Sequence, residues 1–165
     1  MLKVKLISII DGDTIKVLID GIPTNIRFRL VDTPETQKHQ TSENPIILNQ
    51  WLWGKKAKEY IQSRLPSDLY IFIYETDIYG RTIGDIYTQP FANTVSNIQY
   101  KLALAGLCTL SLSLEMRKMN NRELALYSEI PKAIASAYRQ KRGFWKDFEK
   151  GLFIDPYTFK KQYPF

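Results

Sequence analysis

Three strand-like segments separated by two tight turns open the chain and constrain its fold more than any other feature. These segments are rich in Ile, Val and Leu, which favour β-strands, and they are residues 2–10, 14–19 and 25–31. Asp11-Gly12-Asp13 joins the first two, and Asp20-Gly21, extended by Pro23, joins the next two. Because each tight turn reverses the chain, the sequence predicts a three-stranded antiparallel meander.

The meander predicts that two acidic turns meet at one edge of the sheet. The second strand runs away from Asp13 and the third returns, so Asp32 comes back to the edge where Asp13 lies. Beyond it, Pro34 fixes its own φ and disfavours a helical conformation at Thr33. The segment that carries Glu35 is therefore expected to be a stiff, non-helical exit from the strand.

Within the third strand, apolar and basic residues alternate. Ile26, Phe28 and Leu30 are predicted to share one face of the sheet, and Arg27 and Arg29 the other. Taken alone, an arginine on a strand face is more often solvated or salt-bridged than bound to phosphate, and an Asp-Gly-Asp segment is more often a plain turn than a metal site.

Two further strands, at 69–74 and 82–87, are separated by a turn at 77–81. Five short strands interleaved with helices predict a small closed barrel, and the five-stranded oligonucleotide/oligosaccharide-binding (OB) barrel is the obvious candidate. We therefore predict an α+β, mainly β, fold with about three packed helices. A chain of 165 residues is large enough for one such domain with its own core.

Three helices are predicted from apolar residues at helical spacing. The first covers 53–65 and ends before Pro66, after a long polar loop at 37–50. The second ends at Gly106, a typical C-terminal cap, and an extended segment follows at 107–114. Asn120 or Asn121 is expected to cap the third helix, which Pro131 should kink or divide.

The composition favours an anionic partner. The net charge of +6 and the pI of about 9.3 suit nucleic acid better than a membrane surface, although ordinary solubility explains them equally well. No apolar run approaches membrane-spanning length, so no membrane partner is expected. The N-terminal apolar stretch is too short for a signal peptide. As it stands the sequence predicts a cytoplasmic protein, with secretion open if a signal was removed.

The single residues Cys108 and His39 exclude several chemistries. One cysteine allows no internal disulfide, and one histidine makes a His-rich metal site or a Ser/His/Asp triad difficult to build. The single cysteine therefore indicates neither a cellular compartment nor a metal-thiolate cluster.

Four motifs in order give the chain a recognisable signature. They are DGDTIK at 11–16, RFRLVDTPET at 27–36, DIYGR at 77–81 and GFW at 143–145. With them the chain resembles the staphylococcal (thermonuclease-type) nuclease family over roughly residues 3–145. The resemblance implies an OB-fold barrel and a calcium-dependent phosphodiesterase acting on DNA and RNA. It also implies a preference for single strands and products with 3′-phosphate ends. We further expect a monomer.

The resemblance also implies a metal site and a general base. Asp13, Asp32 and the backbone carbonyl of Thr33 match the positions that hold Ca²⁺ in the family, and oxygen atoms are the ligands that this ion prefers. Glu35 matches the residue that accepts a proton from the attacking water.

The remaining matched positions concern the substrate. Arg27 and Arg81 match two family arginines, whose guanidinium groups bind phosphate bidentately. Tyr79 matches a tyrosine near the nucleotide phosphate. Asp11 matches an acidic residue just outside the metal shell, where it can hold waters or ligands.

Three departures from the family pattern are visible. The loop after Glu35 is longer than usual, Ile78 replaces a frequent lysine, and Leu112 and Leu114 stand where family tyrosines stack on the base. Lost stacking predicts weaker nucleotide binding.

The chain divides into a nuclease-like domain at 1–146 and an aromatic and basic tail at 147–165. We expect the tail to pack on the barrel, and a nucleic-acid contact is the alternative. For the whole chain, a non-catalytic nucleic-acid-binding OB module and a calcium-stabilised interaction domain are alternatives to the enzyme.

Overall fold

A computed structural model describes residues 1–38, 41–111 and 119–164. Five strands form a closed barrel in the order β1-β2-β3-β6-β5. They are β1 (Leu2–Asp11), β2 (Thr14–Ile19), β3 (Ile22–Phe28), β5 (Asp68–Thr76) and β6 (Thr82–Tyr87). The N-terminal meander is present, since β1 pairs with β2 and β2 with β3, both antiparallel. The predicted five-stranded OB-type barrel is confirmed.

The predicted third strand, 25–31, is wrong at both ends. It begins at Ile22, because Asp20 and Gly21 alone, both with positive φ, complete the hairpin turn. Pro23 therefore lies inside β3, opposite Leu18, and does not extend the turn. The strand ends at Phe28, since a left-handed backbone at 30 (φ 70°) breaks the ladder.

After this break a second, two-stranded sheet begins. The short strand β4 (Val31–Asp32) pairs antiparallel with β7 (Thr109–Leu110), which comes from the segment predicted to be extended. Residues 112–114 of that prediction lie outside the described part of the chain. Asp32 is therefore positioned by a small sheet of its own at the end of the barrel.

Within the described residues there are five helices, where about three were predicted. They are α1 (Pro45–Gln62), α2 (Ile98–Ala105), α3 (Asn121–Arg139), α4 (Trp145–Phe148) and α5 (Pro156–Gln162). Gly106 caps α2 in the left-handed conformation, as predicted. Throughout the described ranges no helix is long and apolar enough to cross a membrane.

Helix α1 begins earlier than predicted, so the second half of the predicted loop at 37–50 is wrong. The side chain of Asn44 accepts a hydrogen bond from the backbone of Ile46 (2.9 Å), and Pro45 occupies the first turn, where a missing N–H costs nothing.

Helix α3 runs unbroken past Pro131, so the predicted division does not occur. Asn120 caps it, and the Glu123 carboxylate completes a capping box by accepting a hydrogen bond from the backbone N–H of Asn120 (2.9 Å). Buried apolar residues lie on both sides of the proline, among them Ile130 and Ala133. Burial of this face outweighs the one backbone hydrogen bond that proline removes.

The predicted apolar residues are buried in the core, with Ile26 and Phe28 in β3 and Leu30 just after it all at most 2% exposed. The opposite face is not simply solvated. Arg29 is buried and donates to Asp85 from Nε (3.1 Å) and Nη2 (2.9 Å), and to another carboxylate in α3 from Nη1. This arginine therefore has a structural partner in β6.

Four residues converge on Asp85, which is fully buried. Besides Arg29, its carboxylate accepts from Gln99 Nε2 (3.0 Å), Arg122 Nη1 (3.1 Å) and the Tyr74 hydroxyl. Burial and the charge of Asp85 raise the pKa of Tyr74, which keeps that hydroxyl a donor. The cluster ties β5, β6, α2 and α3 together.

The C-terminal segment packs on the domain through aromatic rings. Phe153 stacks on Phe144, with ring centroids 4.3 Å apart, and Phe159 in α5 is fully buried. Asp155 caps α5 by accepting from the backbone of Thr158 (3.0 Å). Helix α5 is therefore fixed at both its cap and its buried face.

Candidate active site

The two acidic turns lie side by side at one end of the barrel. Asp13 follows β1 and Asp32 ends β4, and both are buried. The carboxylate of Asp13 accepts from the backbone N–H (2.9 Å) and the hydroxyl (2.9 Å) of Thr33. This pair of hydrogen bonds joins the turns into a single structure.

Arg27 lies between the two carboxylates. Its Nη1 is 3.3 Å from Asp13 Oδ2, and its Nη2 is 2.8 Å from Asp32 Oδ1. Nη1 also donates to the carbonyl oxygens of Phe28 (3.0 Å) and Val31 (2.8 Å). The guanidinium therefore neutralises the buried acids and fixes the turn between β3 and β4.

Glu35 lies next to this pair and has two cationic neighbours. Lys160 Nζ in α5 is 3.0 Å from Glu35 Oε1 and 2.7 Å from Asp32 Oδ1. Lys38 Nζ is more distant, 3.7 Å from Glu35 Oε2. Lys160 was not predicted as a site residue, because 128 positions separate it from Asp32 and only the basic character of the tail indicated it.

The charges of this cluster follow from its contacts. Burial alone raises the pKa of Asp13, but the Arg27 charge and the hydrogen bonds from Thr33 outweigh burial and hold it below its usual value. Burial lowers the pKa of Lys160, but the charges of Asp32 and Glu35 outweigh it and raise this pKa. At neutral pH Asp13 is therefore ionised and Lys160 protonated.

The turn between β5 and β6 brings in Tyr79 and Arg81. Asp77 organises it by accepting from the backbone N–H of both Tyr79 (3.0 Å) and Arg81 (2.9 Å), and from Arg81 Nε (2.8 Å). Tyr79 and Ile78, at the tip, are 77% and 91% exposed. Arg81 thus reaches the site but is paired with Asp77 rather than with the buried acids.

A cavity of about 500 Å³ connects these residues. Its volume is typical of pockets for small ligands. It is lined by seven of the residues singled out in the sequence, and Asp32 is not among its lining residues. The lining residues from the sequence analysis are Asp11, Asp13, Arg27, Thr33, Glu35, Tyr79 and Arg81. Asp11 accepts a hydrogen bond from the Thr36 hydroxyl at its edge.

Helix α1 supports both turns through small residues. A β-carbon on Gly54 would lie 2.2 Å from the backbone oxygen of Glu35, and one on Gly12 would lie 2.7 Å from Ala57 Cβ and 2.8 Å from Thr33 Oγ1. Such contacts are far inside van der Waals distance. The bare backbone of α1 therefore sets where the Glu35 segment lies.

The cluster has the chemistry of a hard-cation site. Lys160 already places a positive charge between Asp32 and Glu35, so the carboxylates attract a cation at this point. In the described residues no group of three or more His, Cys, Asp or Glu side chains could hold a metal alone. Asp13 and Asp32 would need the Thr33 carbonyl and waters to complete the six to eight oxygen ligands that calcium takes. The oxygen donors suit such an ion, which would have to take the place of the Lys160 ammonium and share Asp13 and Asp32 with Arg27.

The predicted base-stacking positions, Leu112 and Leu114, lie outside the described residues.

Comparison with known proteins identifies the family to which the chain is similar. The family described as staphylococcal nuclease homologue matches residues 25–147, which ends before Lys160. A thermonuclease of Staphylococcus hyicus is 31% identical over 146 residues, covering 87% of this chain and 75% of the relative.

Two proteins of Bacillus subtilis (strain 168) are also similar. Endonuclease YhcR is 30% identical over 157 residues, covering 92% of this chain, which spans only 12% of the relative. Endonuclease YncB is 27% identical over 156 residues, covering 87% of this chain and 67% of the relative. The resemblance found in the sequence motifs is confirmed, and the chain belongs to the staphylococcal nuclease homologue family.

Proposed function

We propose that this chain is a calcium-dependent nuclease that hydrolyses phosphodiester bonds of DNA and RNA. The observation that carries the proposal is the convergence of Asp13, Arg27 and Glu35 on one cavity of about 500 Å³, with Asp32 paired to Arg27 beside it. The names of the relatives, thermonuclease and endonuclease, support the same activity.

Asp13, Asp32 and the carbonyl of Thr33 would hold the calcium ion. When bound, the ion supplies positive charge for the phosphate and helps to bind the attacking water. Asp11, at the edge of the cavity, is placed to hold further waters. The buried, ionised state of Asp13 suits this role, because the carboxylate needs no deprotonation before a cation binds.

Glu35 would act as the general base. Its carboxylate lines the cavity and accepts the proton of the water whose oxygen attacks phosphorus. The bond from phosphorus to the 5′ oxygen would then break, that oxygen would take up a proton from solvent water, and the phosphate would stay on the 3′ side. Helix α1 packs against the backbone of Glu35 and so restricts the position of the base.

Arg27 and Arg81 would bind the phosphate from two sides. Arg27 is held rigidly by backbone carbonyls, whereas Arg81 is paired with Asp77 on the turn that forms the cavity wall. Guanidinium groups stabilise the charge that develops in the transition state. Tyr79, exposed on the same turn, is placed to contact the nucleotide.

The charge and the size of the cavity support the proposed substrate range. Its charged groups suit phosphate, which DNA and RNA share, and a single strand enters a cavity of this size more easily than a duplex. We therefore include both nucleic acids and propose a preference for unpaired strands.

The direct test is the release of acid-soluble nucleotides from denatured DNA, with calcium and with the chelator EGTA. We expect release only with calcium, and 3′-phosphate ends on the products. No release in either condition, with oligonucleotide binding intact, would favour the non-catalytic binding module. Release that ignores the chelator would mean that the metal chemistry is wrong.

Gly54→Ala tests the support that α1 gives to the base. Alanine in a helix interior normally stabilises by about 1 kcal/mol relative to glycine. Here the new β-carbon overlaps the backbone oxygen of Glu35, so we expect a lower melting temperature and a lower kcat. Lys55→Ala, an exposed position in the same helix, is the control. A more stable Gly54→Ala variant with unchanged kcat would show that α1 does not position Glu35.

A further inference from the structure

We propose that the ammonium group of Lys160 is a built-in competitor of the cation: it occupies the place between Asp32 and Glu35 and must leave before calcium binds. The inference rests on the calcium site proposed above. It goes beyond that proposal because it assigns a regulatory residue to α5, a helix that lies outside the residues matched to the family.

The contacts of Lys160 carry the inference. Its Nζ is 2.7 Å from Asp32 Oδ1 and 3.0 Å from Glu35 Oε1, so one ammonium bridges a proposed metal ligand and the proposed base. Lys38, the other lysine near Glu35, is 3.7 Å away with a 58% exposed side chain. Of the two, Lys160 alone makes contacts of hydrogen-bond length with the carboxylates.

The position of Lys160 is built into the fold. The residue before it, Phe159, is fully buried, and the cap at Asp155 fixes the start of α5. The next residue, Lys161, instead places its Nζ 4.4 Å from the centre of the Tyr157 ring. Of these two adjacent lysines on α5, Lys160 therefore contacts Asp32 and Glu35, whereas Lys161 lies over the Tyr157 ring.

The ammonium and a divalent ion cannot share this place. Calcium binds oxygen at about 2.3–2.6 Å, whereas Asp32 Oδ1 already has Lys160 Nζ at 2.7 Å and Arg27 Nη2 at 2.8 Å. A divalent ion added as a third cation on this one oxygen would be repelled at short range. Of the two side chains, within the described part of the chain, only the lysine is free of backbone carbonyl contacts that fix it. Calcium binding must therefore include the cost of breaking both contacts of Lys160.

Release of Lys160 needs no movement of α5. The ammonium is carried by a flexible four-carbon stem, and the side chain is 39% exposed, so Nζ can turn outwards while Phe159 stays buried. In the cation-free protein the same lysine offsets the repulsion between Asp32 and Glu35. The site is thus stable without calcium, and the lysine lowers its apparent affinity for the ion.

The test is calcium binding by isothermal titration calorimetry to the wild-type chain and to Lys160→Met, with Lys161→Met as the matched control. We expect Lys160→Met to bind calcium about tenfold more tightly, within the usual range of coupling between two sites, and Lys161→Met to match the wild type. Equal or weaker binding by Lys160→Met would overturn the proposal.

A second measurement needs no variant. The ¹⁵Nζ signal of Lys160, followed by NMR, should show an ammonium protected from exchange without calcium, and that protection should be lost as calcium is added. Protection that persists at saturating calcium would overturn the proposal. If neither the wild type nor Lys160→Met binds calcium, the calcium site itself fails. Equal binding by both proteins leaves the calcium site standing and removes only the role of Lys160.

Discussion

Glu35→Gln is expected to lower kcat by about 10²- to 10⁴-fold, the usual contribution of a positioned general base. The amide has nearly the same shape as the carboxylate, but it cannot accept the proton of the attacking water. Its carbonyl oxygen can still accept a hydrogen bond from Lys160, which lies 3.0 Å from Oε1 in the wild type. We therefore expect the fold to be kept and calcium affinity not to fall.

The measurement is kcat on denatured DNA at saturating calcium, together with the melting temperature and calorimetric calcium binding. Glu59→Gln is the matched control, since Glu59 is an exposed acid in α1 that pairs only loosely with Lys55 (3.8 Å). A Glu35→Gln variant that cleaves as fast as the wild type would exclude Glu35 as the base.

Asp85→Ala is expected to give the largest loss of stability, about 3–5 kcal/mol, because removing one partner of a buried ion pair leaves the other charge uncompensated. Arg122 would lose its carboxylate and Arg29 would keep only Glu123, while Gln99 and Tyr74 would lose an acceptor. A domain is typically stable by about 5–15 kcal/mol, so the loss is a large part of the total.

Urea unfolding of the wild type and the variant measures this loss. Asp68→Ala is the control, because Asp68 pairs with Lys3 at a similar distance (2.8 Å) but at the surface, where such pairs contribute about 0–1 kcal/mol. A change below 1 kcal/mol for Asp85→Ala would mean that the cluster around Asp85 does not hold the barrel and the helices together.

Local signals in the sequence were sufficient to predict the barrel. The hairpins, the alternation of Ile26, Phe28 and Leu30, and the capping residues Asn120 and Gly106 all act within a few residues. The meeting of the two acidic turns also followed from strand direction, because a meander returns the chain to the same edge.

Contacts between residues far apart in the sequence could not be predicted in this way. Arg29 is 56 positions from Asp85 and 94 from Glu123, so no local pattern in the sequence indicates that it is buried and paired. Lys160 is still farther from Asp32. The error at Pro131 has a different cause, since an intrinsic preference was outweighed by burial of the helix face.

The bare stretch of α1 at Gly54 has a consequence for protein design. Transplanting the acidic turns and arginines onto another five-stranded barrel would supply the same reactive groups but not their positions. The backbone of Glu35 packs directly against α1 at Gly54, where the helix has no side chain. A graft would have to include this helix, although none of its side chains takes part in the proposed chemistry. The smallest transferable unit of the site is therefore the two turns together with α1.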